Sequence, residues 1–163
     1  MKRTITLILA SVMLLSFAAC SSSNTGADSS ADKQNPGDTM SLQEIFDSIL
    51  TDVPDLPELF SLELDDESFE GYLFIEPIES SEALASEALI NAIPHSAVLL
   101  RVPDSVDTDI IAAQIETGAN PRKWVCVEAE KTIVKAHGNT ILLVMSSADT
   151  ADAIAANFDA LWA

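Results

Sequence analysis

The chain has 163 residues, of which 26 are acidic and 8 are basic, so its formal net charge at pH 7 is −18. A field of that sign repels nucleic acid and anionic lipid head groups, and we therefore expect no nucleic-acid binding. A chain of this length can form one hydrophobic core but is too short for two comfortable domains.

The first 19 residues have the layout of an export signal. Lys2 and Arg3 give a positive start, and a short apolar run leads to small residues before Cys20. The run is too short for a comfortable membrane span and is typical of a signal peptide over residues 1–19. The residues around Cys20 resemble the lipobox of bacterial lipoproteins, with Phe17 where leucine is usual. This resemblance implies that Cys20 is acylated and becomes the new N-terminus; an ordinary secretory signal cleaved nearby is the alternative.

Acylation of Cys20 predicts a protein held by its lipid on the extracytoplasmic face of the cell membrane, since several acyl chains anchor a protein firmly. Loss of residues 1–19 leaves 26 acidic and 6 basic groups, a net charge of −20. Such a surface disfavours acidic partners and leaves cations or a basic partner possible, although charge of this kind also serves solubility.

Residues 21–38 contain hardly any apolar side chains, so this segment cannot bury enough surface to order itself. We predict a flexible tether over residues 20–40, with a typical end-to-end distance of roughly 25 Å. A single domain is predicted over residues 41–163.

The first half of the domain begins with a capping box, Ser41 to Glu44, which predicts a helix that Pro54 closes. Residues 52–70 are acidic and interrupted by prolines, which favours irregular structure, and residues 71–75 favour a strand. Residues 81–93 are rich in Ala, Leu and Glu and favour a helix, with a strand continuing from Leu89 as the alternative.

In the second half, residues 97–102 are nearly all apolar, which predicts a strand covered on both faces. Asp104, Asp107 and Asp109 suit the N-terminus of a helix, after which Gly118 is a plausible C′ residue.

Two further strand-like runs cover residues 124–127 and 132–136. Gly138-Asn139 is the signature of a two-residue hairpin turn and leads into a strand over residues 140–145. A second capping box, Ser146 to Asp149, predicts the start of the last helix. The order of all these elements predicts an α+β fold: a two-layer sandwich with a mixed or antiparallel sheet and helices packed on it.

Three segments, residues 93–102, 121–130 and 138–146, resemble a family of small lipoproteins of clostridia-like Gram-positive bacteria, the domain of unknown function 4358. The resemblance extends over roughly residues 41–162 and fits the lipid signal. It implies a location and a shared fold, and it assigns no functional residue.

The residue pattern predicts no catalytic centre and no cofactor. With Cys20 acylated, Cys126 is the one remaining cysteine, and within the strand-like run 124–127 it is expected to be a buried apolar residue. A Cys126–His95 nucleophile and base is the alternative, and with a nearby carboxylate it would indicate a hydrolase. His95 is expected at a strand entrance, bonded to backbone or partly exposed.

No metal site is predicted either. His95 and His137 are the only histidines, and they form no cluster of the kind that zinc requires. Residues 66–71 look like the start of a calcium loop, but Pro77 occupies the place of the bidentate carboxylate. Weak cation binding by the acidic stretch is the remaining possibility.

The most unusual local feature is the run Arg122-Lys123-Trp124, which puts two adjacent cations next to an aromatic ring in a strongly acidic chain. Such residues are over-represented at binding hot spots, so this run is a possible contact with a protein partner. The alternative is a turn with Trp124 buried and the cations neutralising nearby carboxylates. Taken together, we expect a non-enzymatic interaction or accessory module; a ligand- or cation-binding lipoprotein is the second hypothesis and an enzyme the third.

Overall fold

The computed structural model describes residues 35 to 163; residues 1–34, with the predicted signal peptide, Cys20 and most of the predicted tether, lie outside the described part. The helices of this part are α1 (Pro36–Thr39), α2 (Leu42–Ile49), α3 (Asp66–Leu73), α4 (Thr108–Gly118) and α5 (Ala148–Ala160). The strands are β1 (Leu59–Glu63), β2 (Glu82–Ala88), β3 (Ser96–Arg101), β4 (Lys131–His137) and β5 (Thr140–Ser146). Within residues 35–163, no helix is long and apolar enough to cross a membrane.

The five strands form one antiparallel sheet in the order β1-β2-β3-β5-β4. The connection from β4 to β5 is the predicted two-residue turn, in which Gly138 takes the left-handed φ of 55° that this kind of turn requires. The prediction of a hairpin at Gly138-Asn139 is therefore confirmed.

The sheet is buried on both faces, because successive side chains of a strand point to opposite sides. On one face α2 and α5 cover residues such as Leu99 and Leu142. On the other face α3 and α4 cover residues such as Val98 and Leu143. The predicted α+β sandwich with an antiparallel sheet and packed helices is confirmed, but the two predicted layers are three, because helices cover both faces of the sheet.

The predicted capping box at the start of α2 is also confirmed. The backbone N–H of Glu44 donates to Ser41 Oγ at 3.3 Å, and the backbone N–H of Ser41 donates to Glu44 Oε2 at 2.8 Å. The backbone N–H of Ser41, and after it the Ser41 hydroxyl that donates to the same Glu44 oxygen at 2.9 Å, hold the pKa of Glu44 below its ordinary value. The side chains of α2 that follow at helical spacing lie in the core, as predicted.

Residues 52 to 75 differ from the prediction. The stretch predicted as irregular contains β1 and the first part of α3, and residues 71–75, predicted as a strand, include the last turn of α3. A second capping box starts α3: Ser68 N donates to Asp65 Oδ1 at 2.9 Å, and Asp65 N donates to Ser68 Oγ at 3.0 Å. The capping box favours a helix here, because it satisfies backbone N–H groups of the first turn that have no partner within the helix.

The helix predicted over residues 81–93 is wrong, because this segment forms β2. Its Ala, Leu and Glu residues favour a helix by intrinsic propensity. The segment pairs with β1 on one side and β3 on the other, and its residues 83–88 are buried. Burial between two strands and two helical layers outweighs the small propensity differences.

Three predictions in the second half are also wrong. Residues 124–127 are irregular rather than a strand. Ser146, predicted to begin a capping box, is the last residue of β5, and Ser147 is the N-cap of α5 without a side-chain cap bond. Gly118 is the last residue of α4 instead of the residue after its end.

The described chain enters the domain beside the β4–β5 turn. The backbone N–H of Gly37 donates to Leu161 O at 3.4 Å, and the indole N–H of Trp162 donates to Asp38 Oδ1 at 2.8 Å. A Cβ at Gly37 would overlap the Trp162 ring, so a larger residue would displace one of them. Residues 36–40, which belong to the predicted tether, therefore pack against the C-terminal residues, and the packed chain begins before Ser41.

Candidate functional site

Two connections meet at one end of the sheet, which we call the loop end: the end where β2 and β5 finish and β3 and β4 begin. The β2–β3 loop covers residues 89–95, and the α4–β4 loop covers residues 119–130. A surface cavity of about 390 Å³ lies between these two loops and is lined by residues of both. Most of the residues for which the sequence predicts chemistry lie here.

Lys123 ties the α4–β4 loop to the sheet. Its ammonium donates to Glu87 Oε1 at 3.0 Å and to Ser96 Oγ at 2.8 Å, and it lies 4.5 Å from the ring centroid of Tyr72. The Ser96 hydroxyl also donates to Glu87. Burial lowers the pKa of Lys123, and the attraction of the Glu87 carboxylate opposes that change. A cation with these partners serves as an internal link rather than as a contact for an external ligand.

His95 lies on the opposite face of the sheet at the same end. Its Nδ1 is 3.0 Å from the hydroxyl of Ser146, and the residue is 1% exposed. Burial, with a smaller effect of the Lys123 charge, lowers the pKa of His95 to about 4, so the imidazole is neutral at pH 7. Neither His95 Nε2 nor Ser86 Oγ has a hydrogen-bond partner within residues 35–163. The expectation that the His95 side chain bonds to backbone or is partly exposed is wrong, since its ring contacts the Ser146 hydroxyl and is buried, and the strand-entrance position is right.

At the loop end, the described residues place no accessible nucleophile beside the imidazole of His95. Ser96 and Ser146 are closed to solvent, although each hydroxyl contacts a titratable side chain. Cys126 is exposed, so the prediction of a core cysteine is wrong; the strand that would have buried it does not form. Within the described residues, no hydrogen bond joins Cys126 to His95.

No group of three His, Cys, Asp or Glu side chains within residues 35–163 is arranged to hold a metal ion. Residues 66–71, which resemble the start of a calcium loop, lie in α3 and follow its capping box. Helical backbone in this segment turns the side chains outward in succession instead of converging them on one point.

The three residues of the predicted contact are separated by the fold. Arg122 is exposed and forms an ion pair with Glu128. Lys123 is the buried link, and Trp124 is half-buried against the core on the α3 and α4 face. Only Arg122 and one side of Trp124 are therefore available to a partner.

An apolar patch lies next to this run. Six large apolar side chains are exposed within residues 35–163, and five of them lie at the loop end. We call these five the loop-end patch: Phe60 (40% exposed), Leu89 (58%), Ile90 (58%), Ile93 (38%) and Val125 (100%). Apolar side chains grouped in this way on a soluble domain mark an interaction surface more often than single ones do.

The charge of the loop end differs from that of the remaining chain. Residues 88–102 and residues 117–127 contain no Asp or Glu, although the chain has 26 of them. Glu87 and Glu128, which border these two runs in sequence, are each paired with a cation of the α4–β4 loop, whereas exposed Glu58 lies opposite Leu89 beside the patch. The loop-end patch is therefore poor in acidic residues on the side of the β2–β3 and α4–β4 loops, and its β1 side borders acidic residues such as Glu58.

The patch and the entry of the chain lie at opposite ends of the sheet. Met40, just before α2, accepts a hydrogen bond at 2.9 Å from Arg101, the last residue of β3. His95 and the patch precede the first residue of the same strand. Six residues of strand span about 17 Å. A tether that leaves the domain near Met40 therefore leaves it on the side away from the patch.

The sequence pattern indicates Arg122 and Trp124, which lie beside the loop-end patch, but none of the five residues of the patch itself. The available signal was the acid-free run of residues 88–102 with two isoleucines and a leucine in a loop. The prediction of a helix over residues 81–93 gave this signal another explanation, because the leucine and the two isoleucines would then face a core.

Comparison with known proteins finds no matching family model, no matching curated protein and no matching solved structure. The resemblance to the lipoprotein family therefore stays a prediction.

Proposed function

We propose that this chain is a lipid-anchored, extracytoplasmic binding module without catalytic activity, which docks a protein partner through the loop-end patch. The anchor is the acylated Cys20, and residues 21–34 connect it to the described domain. In this proposal the Arg122 side chain and the exposed side of Trp124 belong to the rim of the docking surface.

The exposure of Val125 is the observation that carries the proposal. This side chain is 100% exposed, yet the loop that bears it is fixed from below by the buried bonds of Lys123. A rigid loop that presents an apolar side chain to solvent is preorganised for binding, because little conformational freedom is left to lose on association.

The position of the patch supports a partner beyond the membrane surface. A flexible tether of fourteen residues, as the sequence predicts for residues 21–34, has a typical end-to-end distance of about 20 Å. The described chain begins with residues 35–37, which lie at the end opposite the patch. An anchored domain of this kind presents the patch away from the bilayer. The acidic surface also disfavours contact with anionic head groups.

Cross-linking from Cys126 tests the proposal, because in a mature chain with acylated Cys20 this exposed thiol is the one free thiol and lies beside Val125. We would attach a thiol-specific photo-cross-linker to the full mature protein in intact membranes. The control is a Cys126→Ser, Ser105→Cys chain, which places the same reagent on the exposed loop after β3, at the other end of the sheet and away from β1. We expect a defined protein adduct from Cys126 and none from the control. Equal adducts from both positions, or none from either, would contradict the proposal.

A further inference from the structure

The edge of the sheet at β1 is open. β1 and β4 are the outer strands, and β1 makes its main contacts with β2. Three of its five residues, Phe60, Ser61 and Glu63, are exposed. An outer strand exposes a row of backbone groups, which another chain can pair with.

The backbone groups that face outward can be assigned. Just before and just after β1, Leu89 N donates to Glu58 O at 2.8 Å and Leu64 N donates to Ala83 O at 3.0 Å. In an antiparallel pair, residues alternate between those that bond to the partner strand and those that bond away from it. Residues 58, 60, 62 and 64 therefore bond to β2, and the N–H and C=O groups of Leu59, Ser61 and Glu63 point to the open edge. No described residue supplies a hydrogen bond to these groups.

The other outer strand is protected in a way that β1 is not. β4 carries Lys131 and Lys135, which form ion pairs with Asp152 and Asp159 of α5. Lysines on an edge strand oppose pairing with a further strand. β1 has the sequence Leu-Phe-Ser-Leu-Glu, with no lysine and no proline to prevent pairing.

The charge around β1 indicates which kind of chain segment can pair with this strand. The flanking segments supply one of the most acidic parts of the chain, and no Lys or Arg occurs between Lys33 and Arg101. The acidic residues next to β1 in sequence are Asp55, Glu58, Asp65, Asp66 and Glu67. A second copy would bring the same negative charge to this edge and would be repelled. Residues 21–34 of the chain itself are polar and include two aspartates, so they do not complement the acidic edge either.

We propose that β1 binds an extended, basic segment of the partner protein, which adds to the sheet as a sixth strand. Backbone hydrogen bonds to Leu59, Ser61 and Glu63 supply the affinity, and lysine or arginine side chains of the segment pair with the flanking carboxylates. Phe60 belongs to the loop-end patch, so apolar side chains of the bound segment continue that surface. This inference rests on the proposed function, since it names the mode and the chemistry of the same partner.

Residue-resolved hydrogen exchange on the full mature protein in detergent micelles tests this inference. The probe is an eight-residue peptide of alternating lysine and valine with blocked ends, and an alternating glutamate and valine peptide is its control. We expect the basic peptide at saturation to slow exchange of the amides of Leu59, Ser61 and Glu63 by about tenfold or more. The acidic peptide should leave these amides unchanged, and added salt should weaken the effect of the basic one.

A pair of variants links the effect to the backbone. Ser61→Pro removes one outward N–H, which an edge strand tolerates, and should abolish the slowing, whereas Ser61→Ala keeps the N–H and should retain it. Unchanged amides with the basic peptide would overturn the inference, as would equal binding to Ser61→Pro. Slowing that depends on protein concentration without any peptide would also overturn it, because a second copy would then occupy the edge. An adduct from Cys126 without any slowing at β1 would leave the proposed function standing and remove only this inference.

Discussion

The Lys123 ammonium lies 3.0 Å from the Glu87 carboxylate, beneath the loop that holds Val125 fully in solvent. The two side chains are 13% and 10% exposed, so the pair is almost entirely desolvated. Buried pairs of this kind fix geometry, because separating them leaves a charge without a partner in a poorly solvated place. The Lys123–Glu87 pair therefore both stabilises the domain and holds the loop that exposes Val125.

Removing Lys123 and removing its neighbour Arg122 should change the stability of the domain by different amounts. Lys123→Ala leaves Glu87 buried and unpaired and should lower the free energy of unfolding by about 3–5 kcal/mol. Arg122→Ala removes an exposed ion pair and should change it by no more than about 0.5 kcal/mol. Urea unfolding of both variants measures the difference. A Lys123→Met, Glu87→Gln double variant should recover part of the loss, and equal effects of the two single variants would show that the link is not formed.

Trp124 and Val125 form a second matched pair. Trp124 is half-buried against the core, so Trp124→Ala should cost roughly 2–3 kcal/mol, below the value for a fully buried aromatic residue. Val125→Ala should be neutral within about 0.5 kcal/mol, since the side chain contacts solvent. Thermal unfolding of each variant provides the test. A normal melting temperature for Trp124→Ala would mean that its ring is free, as in a pure docking residue.

The buried His95 should make stability depend on pH. Its folded pKa of about 4 lies below the ordinary value of 6.5, so between these values the unfolded state binds more protons. This group therefore contributes stability at pH 7 that is lost as the pH falls, about 2 kcal/mol of it by pH 5. His95→Asn should remove this dependence, so the gap in unfolding free energy between the wild-type chain and the variant should narrow by that amount.

Urea unfolding at pH 7 and pH 5 measures this gap. The comparison between the two chains cancels the effect of the carboxylates, which both chains share. A gap that stays constant between the two pH values would mean that His95 titrates normally and is open to water.

Anchoring should depend on Cys20. Cys20→Ala removes the thiol that we propose as the site of acylation, so the variant should accumulate as an unprocessed precursor or leave the membrane fraction. Immunoblotting of membrane and soluble fractions checks this. Normal processing and retention of Cys20→Ala would contradict acylation at this residue.

The fold could be predicted where local and tertiary preferences agree. The capping box at Ser41, the apolar run of β3 and the turn at Gly138 each point to the same element as the packing does. β2 could not be predicted, because its Ala and Glu residues favour a helix and only pairing with β1 and β3 makes it a strand.

The candidate site was harder to predict than the fold. Arg122, Lys123 and Trp124 stand out in the sequence, but their directions depend on a loop whose course is set by the distant Glu87 and Ser96. Val125 and Cys126 read as buried strand residues because their apolar character is the only local signal. Glu87 and Ser96, which fix this loop, are far from it in sequence, so the residues around Val125 and Cys126 alone do not indicate their effect.

Docking on the loop-end patch is the central claim, and two isoleucines of nearly equal exposure test it most directly. Ile90 is 58% exposed within the patch, and Ile110 is 55% exposed at the start of α4, outside it. In each variant an aspartate replaces an exposed apolar side chain, so both should fold normally by circular dichroism. Photo-cross-linking from Cys126 in intact membranes should then lose its protein adduct in Ile90→Asp and keep it in Ile110→Asp. An adduct that persists in Ile90→Asp, or that is lost equally in both variants, would contradict docking at this patch.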